Sequence, residues 1–97
     1  MSSTRNLQKM ADEFTKEYKK IKFDGDDTIY FQLPNGVIFT PMYLTPFKCY
    51  TISYADNLED AKRDFFQEGD QFDGDLDYET IISQMREELA IEGAIGD

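Results

Sequence analysis

The first predicted element is a helix with a single apolar stripe. Between residues 4 and 22 the apolar side chains recur every three or four positions, the spacing of one helix face: Leu7, Met10, Ala11, Phe14, Tyr18 and Ile21. Four lysines crowd the end of this segment, where positive charge suits the helix dipole. Residues 23–27, Phe-Asp-Gly-Asp-Asp, lack this periodicity, so the helix is expected to stop before them.

Two apolar runs separated by Asn35-Gly36 predict a β-hairpin. Residues 28–33 alternate between apolar and polar side chains, as in a strand with one buried face, and residues 37–44 form the second run. Asn-Gly between two such runs is the strongest short-range hairpin signal, because both residues tolerate positive φ. Pro41 interrupts the second run, which predicts an edge position or a bulge there.

A third strand and two more helices follow. Residues 47–54 predict a strand that completes a three-stranded antiparallel meander. Residues 56–59, Asp-Asn-Leu-Glu, resemble a capping box and predict a short helix that ends near Gly69. The last helix is predicted over residues 77–92, with Asp77 as its cap, and residues 93–97 are predicted to be a frayed tail.

The element order α-β-β-β-α-α predicts an α+β fold. A chain of 97 residues with 40% hydrophobic residues is expected to form a single domain, residues 1–97, with one modest core. We expect two layers, in which the three-stranded antiparallel meander packs against helices.

The net negative charge of the chain lies in its second half. Residues 1–55 hold seven basic and six acidic residues, whereas residues 56–97 hold three basic and fourteen acidic residues. A field of this sign repels nucleic acid and anionic membranes and attracts basic surfaces. We therefore expect a basic protein surface as the partner, and no direct binding of nucleic acid or membrane, because affinity for a phosphate backbone comes from Lys and Arg.

The residues needed for most catalytic and metal sites are missing. The chain has no histidine, which removes the commonest general base and the His-dependent zinc sites. The single cysteine, Cys49, cannot form an internal disulfide, and its position within a strand predicts a buried, inert thiol. The glycines are isolated and form no phosphate-binding loop. We expect no enzymatic activity, no cofactor and no dedicated metal site.

The cellular location is predicted from what the sequence lacks. No apolar run approaches the length of a membrane span or a signal-peptide core. A single cysteine is typical of a protein that does not depend on disulfides, so a reducing, cytoplasmic location is expected.

The densest charge lies in EGDQFDGDLDYE, residues 68–79, where six of twelve residues are acidic and none is basic. Its Asp-x-Asp-x-Asp run from Asp73 matches the start of a calcium-binding EF-hand loop. That loop needs Gly and Glu at its sixth and twelfth positions, which hold Tyr78 and Gln84 here. Weak binding of a divalent cation remains an alternative. A second interpretation is a solvated loop whose acids cap the last helix and suit its dipole.

A third interpretation is a mimic of nucleic acid. Carboxylates held along a fixed segment can imitate phosphates and occupy the basic groove of a nucleic-acid-binding protein. The candidate partner-binding residues are Glu68, Asp70, Phe72, Asp73, Asp75, Asp77 and Glu79. The outer faces of the flanking helices are expected to add further acids: Asp60, Asp64, Glu87, Glu88 and Glu92.

The element order and the charge layout resemble those of small phage-encoded anti-CRISPR proteins, which block a DNA-cleaving CRISPR nuclease. The matching pieces are the helix at 4–22, the turn Pro34-Asn35-Gly36, the capped helix from Asp56 and the acidic stretch 68–79. The likeness covers most of the chain and rests on layout; the lysine-rich first helix and the proline-interrupted strands depart from that family. The resemblance implies a host-cell cytoplasm and acids that imitate the DNA marking a target site, with contacts from Asp70, Asp73, Asp75, Asp77 and Glu79.

The leading hypothesis is therefore a non-enzymatic interaction protein whose acidic half binds a basic surface, as an inhibitor of a nuclease or of a DNA-binding protein. The alternative is a small accessory protein that forms a homodimer through an aromatic sheet face. Four strand tyrosines would form that face unless a terminal helix covers them: Tyr30, Tyr43, Tyr50 and Tyr54.

Overall fold

Three helices and five strands make up the part of the chain that the computed structural model describes, residues 3–94. In chain order they are α1 (Ser3–Glu17), β1 (Lys19–Ile21), β2 (Tyr30–Gln32), β3 (Ile38–Leu44), β4 (Cys49–Ala55), α2 (Leu58–Lys62), β5 (Gln67–Asp73) and α3 (Tyr78–Ala94). A 3-10 turn, Thr45–Phe47, joins β3 to β4. The predicted α+β class is confirmed.

All five strands lie in one antiparallel sheet in the order β1-β2-β3-β4-β5. The predicted hairpin is present between β2 and β3: the Leu33 N–H donates to the Val37 carbonyl at 2.8 Å, and Gly36 has a φ of 96°. The sheet contains the predicted meander in its centre and adds one strand on each side. Consequently β1 and β5 are the two edges.

Pro41 lies where β3 has a strand partner on one side. β4 pairs with β3 from Ile38 to Leu44, whereas β2 pairs only with Ile38 and Phe39. In the described chain the rest of β3 is therefore a local edge on the β2 side, as the proline predicts.

The main core lies between one face of the sheet and the helices α1 and α3. The predicted stripe of α1 is real, since Met10 and Phe14 are fully buried. Phe14 makes edge-to-face contacts with Phe31 and Phe39, with ring centroids 5.8 and 5.6 Å apart, a favoured aromatic geometry. The buried members of this core are Met10, Phe14, Phe31, Leu33, Phe39, Tyr50, Ile52, Phe72, Ile81, Ile82, Met85 and Leu89.

The opposite face of the sheet is only partly covered. A smaller cluster forms there from Tyr30, Ile38, Ala55 and Ala61, with α2 contributing the last of these. Tyr30 also stacks on Phe66, with ring centroids 5.5 Å apart. Because α2 has five residues, it covers little of this face, and the rest forms the groove described below.

The first helix is shorter than predicted. It ends at Glu17, and Lys19–Ile21 is the edge strand β1, with Lys19 opposite Gln32 and Ile21 opposite Tyr30. Ile21 has helical spacing from Phe14 and Tyr18, but it packs against the second cluster instead. The pairing of residues 19–21 with β2 therefore overrides the helical pattern of the sequence. The same pairing places the exposed Lys19 and Lys20 on one edge of the sheet.

The second helix is also shorter, and its cap is displaced by one residue. Asn57 is the cap, and its side chain accepts the Asp60 N–H at 2.9 Å. The helix ends at Lys62, and Asp64 turns the chain away with a φ of 61°. The predicted continuation to Gly69 is wrong, because residues 67–73 form β5 on the edge of β4.

The last helix runs past its predicted end. α3 continues through Gly93 and Ala94, the first two residues of the predicted frayed tail. The rest of that predicted tail, residues 95–97, lies outside the described residues.

The four strand tyrosines do not form one exposed face. Tyr50 is buried in the main core, with Tyr43 and Tyr54 packed against it, while Tyr30 lies in the cluster on the other face. Helices contact two of these side chains, since Asn6 of α1 donates to the Tyr50 hydroxyl and the Tyr54 hydroxyl donates to Glu88 of α3. The geometry expected for a dimer through an aromatic sheet face is therefore absent from these residues.

Candidate acidic binding surface

The acidic stretch is an edge strand, a turn and the start of a helix. Strand β5 carries the first acids, residues 74–77 form the turn, and α3 begins at Tyr78. Six carboxylate residues along this path are exposed, and we call them the acidic edge: Glu68, Asp70, Asp73, Asp75, Asp77 and Glu79. The interpretation as a solvated loop is thus corrected for its first half, which is strand.

Phe72 is not part of the exposed surface. Its side chain is 6% exposed and belongs to the main core, opposite Tyr50 on β4. The prediction that Phe72 contacts a partner is therefore corrected: an aromatic ring alternating with polar neighbours on a strand points to the core. Phe72 instead fixes the position of β5, and with it the acids on either side.

The turn after β5 is docked on the connection between β3 and β4. The Gly74 N–H donates to the Lys48 carbonyl at 3.1 Å. A Cβ atom at Gly74 would lie 2.4 Å from that carbonyl oxygen, so only glycine allows this approach. The carboxylates of the turn are therefore carried by a backbone that is held at its first residue.

Two of the acids also organise their own backbone. The Asp73 carboxylate accepts the Asp75 N–H at 2.9 Å. Asp77 directly precedes α3: its side chain accepts a hydrogen bond from the Thr80 hydroxyl, and its carbonyl accepts the Ile81 N–H. The capping position predicted for Asp77 is therefore occupied as expected, and the solvated-loop interpretation explains these two residues in part.

A β-bulge separates the acids of β5. The pairing of β4 with β5 shifts between Thr51 and Ser53, so that Glu68 lies opposite Ser53. Glu68 then borders the groove on the second face, whereas Asp70 borders a surface depression with Glu87 and Glu88 of α3. The acidic edge thus presents carboxylates toward both faces of the sheet rather than along one flat side.

Glu88 points inward, toward the bulge. It accepts the Tyr54 hydroxyl at 2.5 Å and the Asp70 N–H at 2.7 Å, so it satisfies a backbone donor of the edge strand. Gly69 leaves room for this arrangement, since a Cβ there would lie 2.6 Å from the Tyr54 ring. The expectation that Glu88 adds to an outer acidic face is corrected: its role is to tie α3 to β5.

The pKa values at this contact are shifted by burial. Burial raises the pKa of the Glu88 carboxyl, and the hydrogen bonds from Tyr54 and Asp70 offset part of the rise. Burial and the neighbouring Glu88 likewise raise the pKa of the Tyr54 hydroxyl. The Tyr54 hydroxyl therefore stays protonated, and able to donate, at neutral pH.

A polar contact between α1 and α3 was not visible in the sequence. Arg86 pairs with Glu13 and Glu17, each at 3.1 Å, and the Tyr78 hydroxyl also donates to Glu13. Lys9 lies 4.1 Å from the centre of the Tyr78 ring. The basic residue that follows the acidic stretch in sequence is therefore paired with α1.

The described residues form no cluster suited to a metal ion. Within residues 3–94, no three Asp, Glu or Cys side chains are grouped so that they could hold a metal ion. Cys49 is buried, as predicted from its position in a strand. No described helix combines the length and apolar character needed to cross a membrane.

The acidic edge must be interpreted from its own chemistry. Comparisons of this chain with models of protein families, with curated proteins and with solved structures find no match.

Proposed function

We propose that the acidic edge binds a basic protein surface and acts as a nucleic-acid mimic that inhibits a nucleic-acid-binding enzyme. The observation that carries the proposal is the fixed backbone beneath the exposed carboxylates. Phe72 anchors β5 in the core, and Gly74 anchors the turn on Lys48. A mimic needs carboxylates whose positions are set before binding, because ordering a flexible segment on binding costs affinity.

The sign and density of the charge support the same proposal. The sequence has no basic residue between Arg63 and Arg86, and Arg86 is paired with Glu13 and Glu17 of α1. A cluster of one sign accelerates the approach of an oppositely charged partner and makes association sensitive to salt.

The acids of β5 also have a structural explanation. Charged side chains on an edge strand prevent that strand from pairing with another sheet. This accounts for Glu68, Asp70 and Asp73, but not for Asp75 and Glu79, which lie outside the strand. The two roles separate experimentally, because a protective role predicts self-association after neutralisation, whereas the mimic predicts loss of partner binding.

The first test measures binding to three basic proteins at increasing salt. The set is a guide-loaded CRISPR nuclease, a sequence-specific DNA-binding domain and a basic protein without a nucleic-acid function. We expect tight binding to one of the first two, which falls steeply with salt and is competed by duplex DNA. Absence of binding to both would overturn the proposal for these two classes of target.

Matched neutral variants separate the acidic edge from the overall charge. The triple variant Asp70→Asn, Asp73→Asn, Asp75→Asn is expected to lose binding, and asparagine at 73 can still accept the backbone N–H. The control triple changes the net charge equally at exposed acids on α1 and on the β1–β2 connection: Asp12→Asn, Asp24→Asn and Asp27→Asn. Equal loss in both triples would show that net charge, not the acidic edge, causes binding.

A further inference from the structure

A groove of about 700 Å³ lies on the second face of the sheet, beside the local edge of β3. The stacked rings of Tyr30 and Phe66 form part of its lining, and Met42 is 42% exposed within it. Asp64 and Glu68 are the charged residues that line it. The groove thus combines an apolar surface with two carboxylates.

Three hydroxyl groups of the groove, those of Tyr30, Thr40 and Ser53, are available only as acceptors. Tyr30 donates its hydroxyl proton to Asp26 at 2.9 Å, and Thr40 donates to the Ile29 carbonyl at 3.1 Å. Ser53 donates to the Met42 sulfur at 2.9 Å. A hydroxyl has one proton, so each of these oxygens has only lone pairs left. With two carboxylates added, the groove suits a ligand that donates hydrogen bonds and carries positive charge.

Asp64 is poorly suited to its place by local structure alone. It follows the end of α2 with a φ of 61°, where glycine or asparagine is the usual choice. A negative charge near the carboxyl end of a helix is also unfavourable. Among the described residues, Asp64 forms no ion pair within 4 Å. An acid at this position is better explained by a ligand than by the turn.

We infer that this groove receives an arginine side chain of the basic partner. The guanidinium group carries five donors in a plane that matches carboxylates, and its aliphatic stem can pack on Met42 and the aromatic rings. This inference rests on the proposed function, since the same partner would supply the arginine. The groove would give the partner a specific anchoring point beside the acidic edge. Glu68 belongs to both, since it is part of the acidic edge and also borders the groove.

The test uses NMR with the full-length, labelled protein and two peptides. One is acetyl-Gly-Ala-Arg-Ala-Gly-amide, and the other has citrulline in place of arginine, which keeps the shape but removes the charge. We expect the arginine peptide to shift the Met42 methyl and Ser53 amide signals saturably, with citrulline binding about tenfold weaker. Asp64→Asn with Glu68→Gln should lower the arginine affinity about tenfold, whereas Asp12→Asn with Asp24→Asn, an equal charge change at exposed acids outside the groove and the acidic edge, should leave it within about twofold.

Two further measurements keep the inference open to refutation. Asp64→Asn alone should weaken arginine binding while raising Tm by roughly 3 °C, because asparagine fits the turn better. Met42→Arg should fill the groove from within and abolish the peptide-induced shift at Ser53. Groove shifts that are equal for both peptides, or unchanged in the double variant at 64 and 68, would overturn the inference. Shifts confined to residues 70–79 would overturn it too, but would leave the proposed function standing.

Discussion

Replacing Gly74 by alanine tests whether the acidic turn is held by its contact with the β3–β4 connection. The substitution leaves all six carboxylates of the acidic edge in place. Gly74 does not need positive φ, so the added methyl group, rather than backbone strain, is the perturbation.

The expected cost follows from three contributions. The new Cβ would lie 2.4 Å from the Lys48 carbonyl oxygen and 3.1 Å from the carbonyl carbon. Because these are backbone atoms, no change of side-chain rotamer can relieve the clash. Overpacking of this kind costs about 1–3 kcal/mol. Displacing the turn also weakens the hydrogen bond from Gly74 to Lys48, worth about 1 kcal/mol, while alanine gains about 0.4–1 kcal/mol by restricting the unfolded chain. We expect a net loss of about 2 kcal/mol and a decrease in Tm of roughly 10 °C.

Urea denaturation followed by far-UV circular dichroism measures this loss directly. Gly93→Ala is the matched control. Gly93 lies inside α3, and a Cβ there would meet only the Leu33 side chain, at 4.0 Å. That variant should be more stable than the original by up to about 0.5 kcal/mol, since alanine favours the helix. If Gly74→Ala were as stable as the original protein, the turn would not depend on this contact. The carboxylates of the turn would then not be held in fixed positions by this contact, and the proposed nucleic-acid mimic would lose that support.

Further predictions concern the anchors around the acidic edge. Phe72→Ala should lower the free energy of unfolding by about 3 kcal/mol, whereas an exposed partner contact would leave it unchanged; urea denaturation decides. Tyr54→Phe should lower the free energy of unfolding by about 1.5 kcal/mol, because Glu88 loses a hydrogen-bond donor. The same substitution should cost clearly less in a Glu88→Gln background, and a double-mutant cycle measures the difference. A hydrogen bond from Tyr78 lowers the pKa of Glu13, so its contribution to stability is present above the usual value of 4.5 and is lost as pH falls through the lowered pKa. In Glu13→Gln, Tm should therefore fall less steeply between about pH 5 and 3 than in the original protein. If Tm fell equally steeply in both proteins, Glu13 would not contribute to the loss of stability in acid.

The central strands and the two long helices could be predicted because their patterns are strong. Asn35-Gly36 between two apolar runs located the hairpin, and the stripe through Met10 and Phe14 located α1. The edge strands could not be predicted in this way. β1 has one apolar residue among lysines, and β5 has only Phe72, so neither shows the alternation of a strand with a packed face. Tertiary pairing with β2 and β4 supplies what the local pattern lacks.

The candidate site was predicted in composition but not in geometry. The sequence shows where the acids are dense, yet it does not show that Glu88 turns toward Tyr54 or that a bulge divides Glu68 from Asp70. Glu88 follows the buried Met85 by three positions, which places it beside the apolar stripe of α3. That spacing was the available signal. The isolated Phe72 among acids was the corresponding signal for a buried strand.

The opposite charges of the two sheet edges lie far enough apart to act separately. Lys19 and Lys20 are exposed on β1 and the acids on β5, with four strand spacings, roughly 19 Å, between them. At physiological salt the screening length is about 8 Å, so a partner at β5 scarcely senses the lysines. In very dilute salt the screening length reaches about 30 Å, so each copy then senses the whole net charge of −10 on another copy. Copies of the protein would repel one another, and dilute buffers would keep them apart.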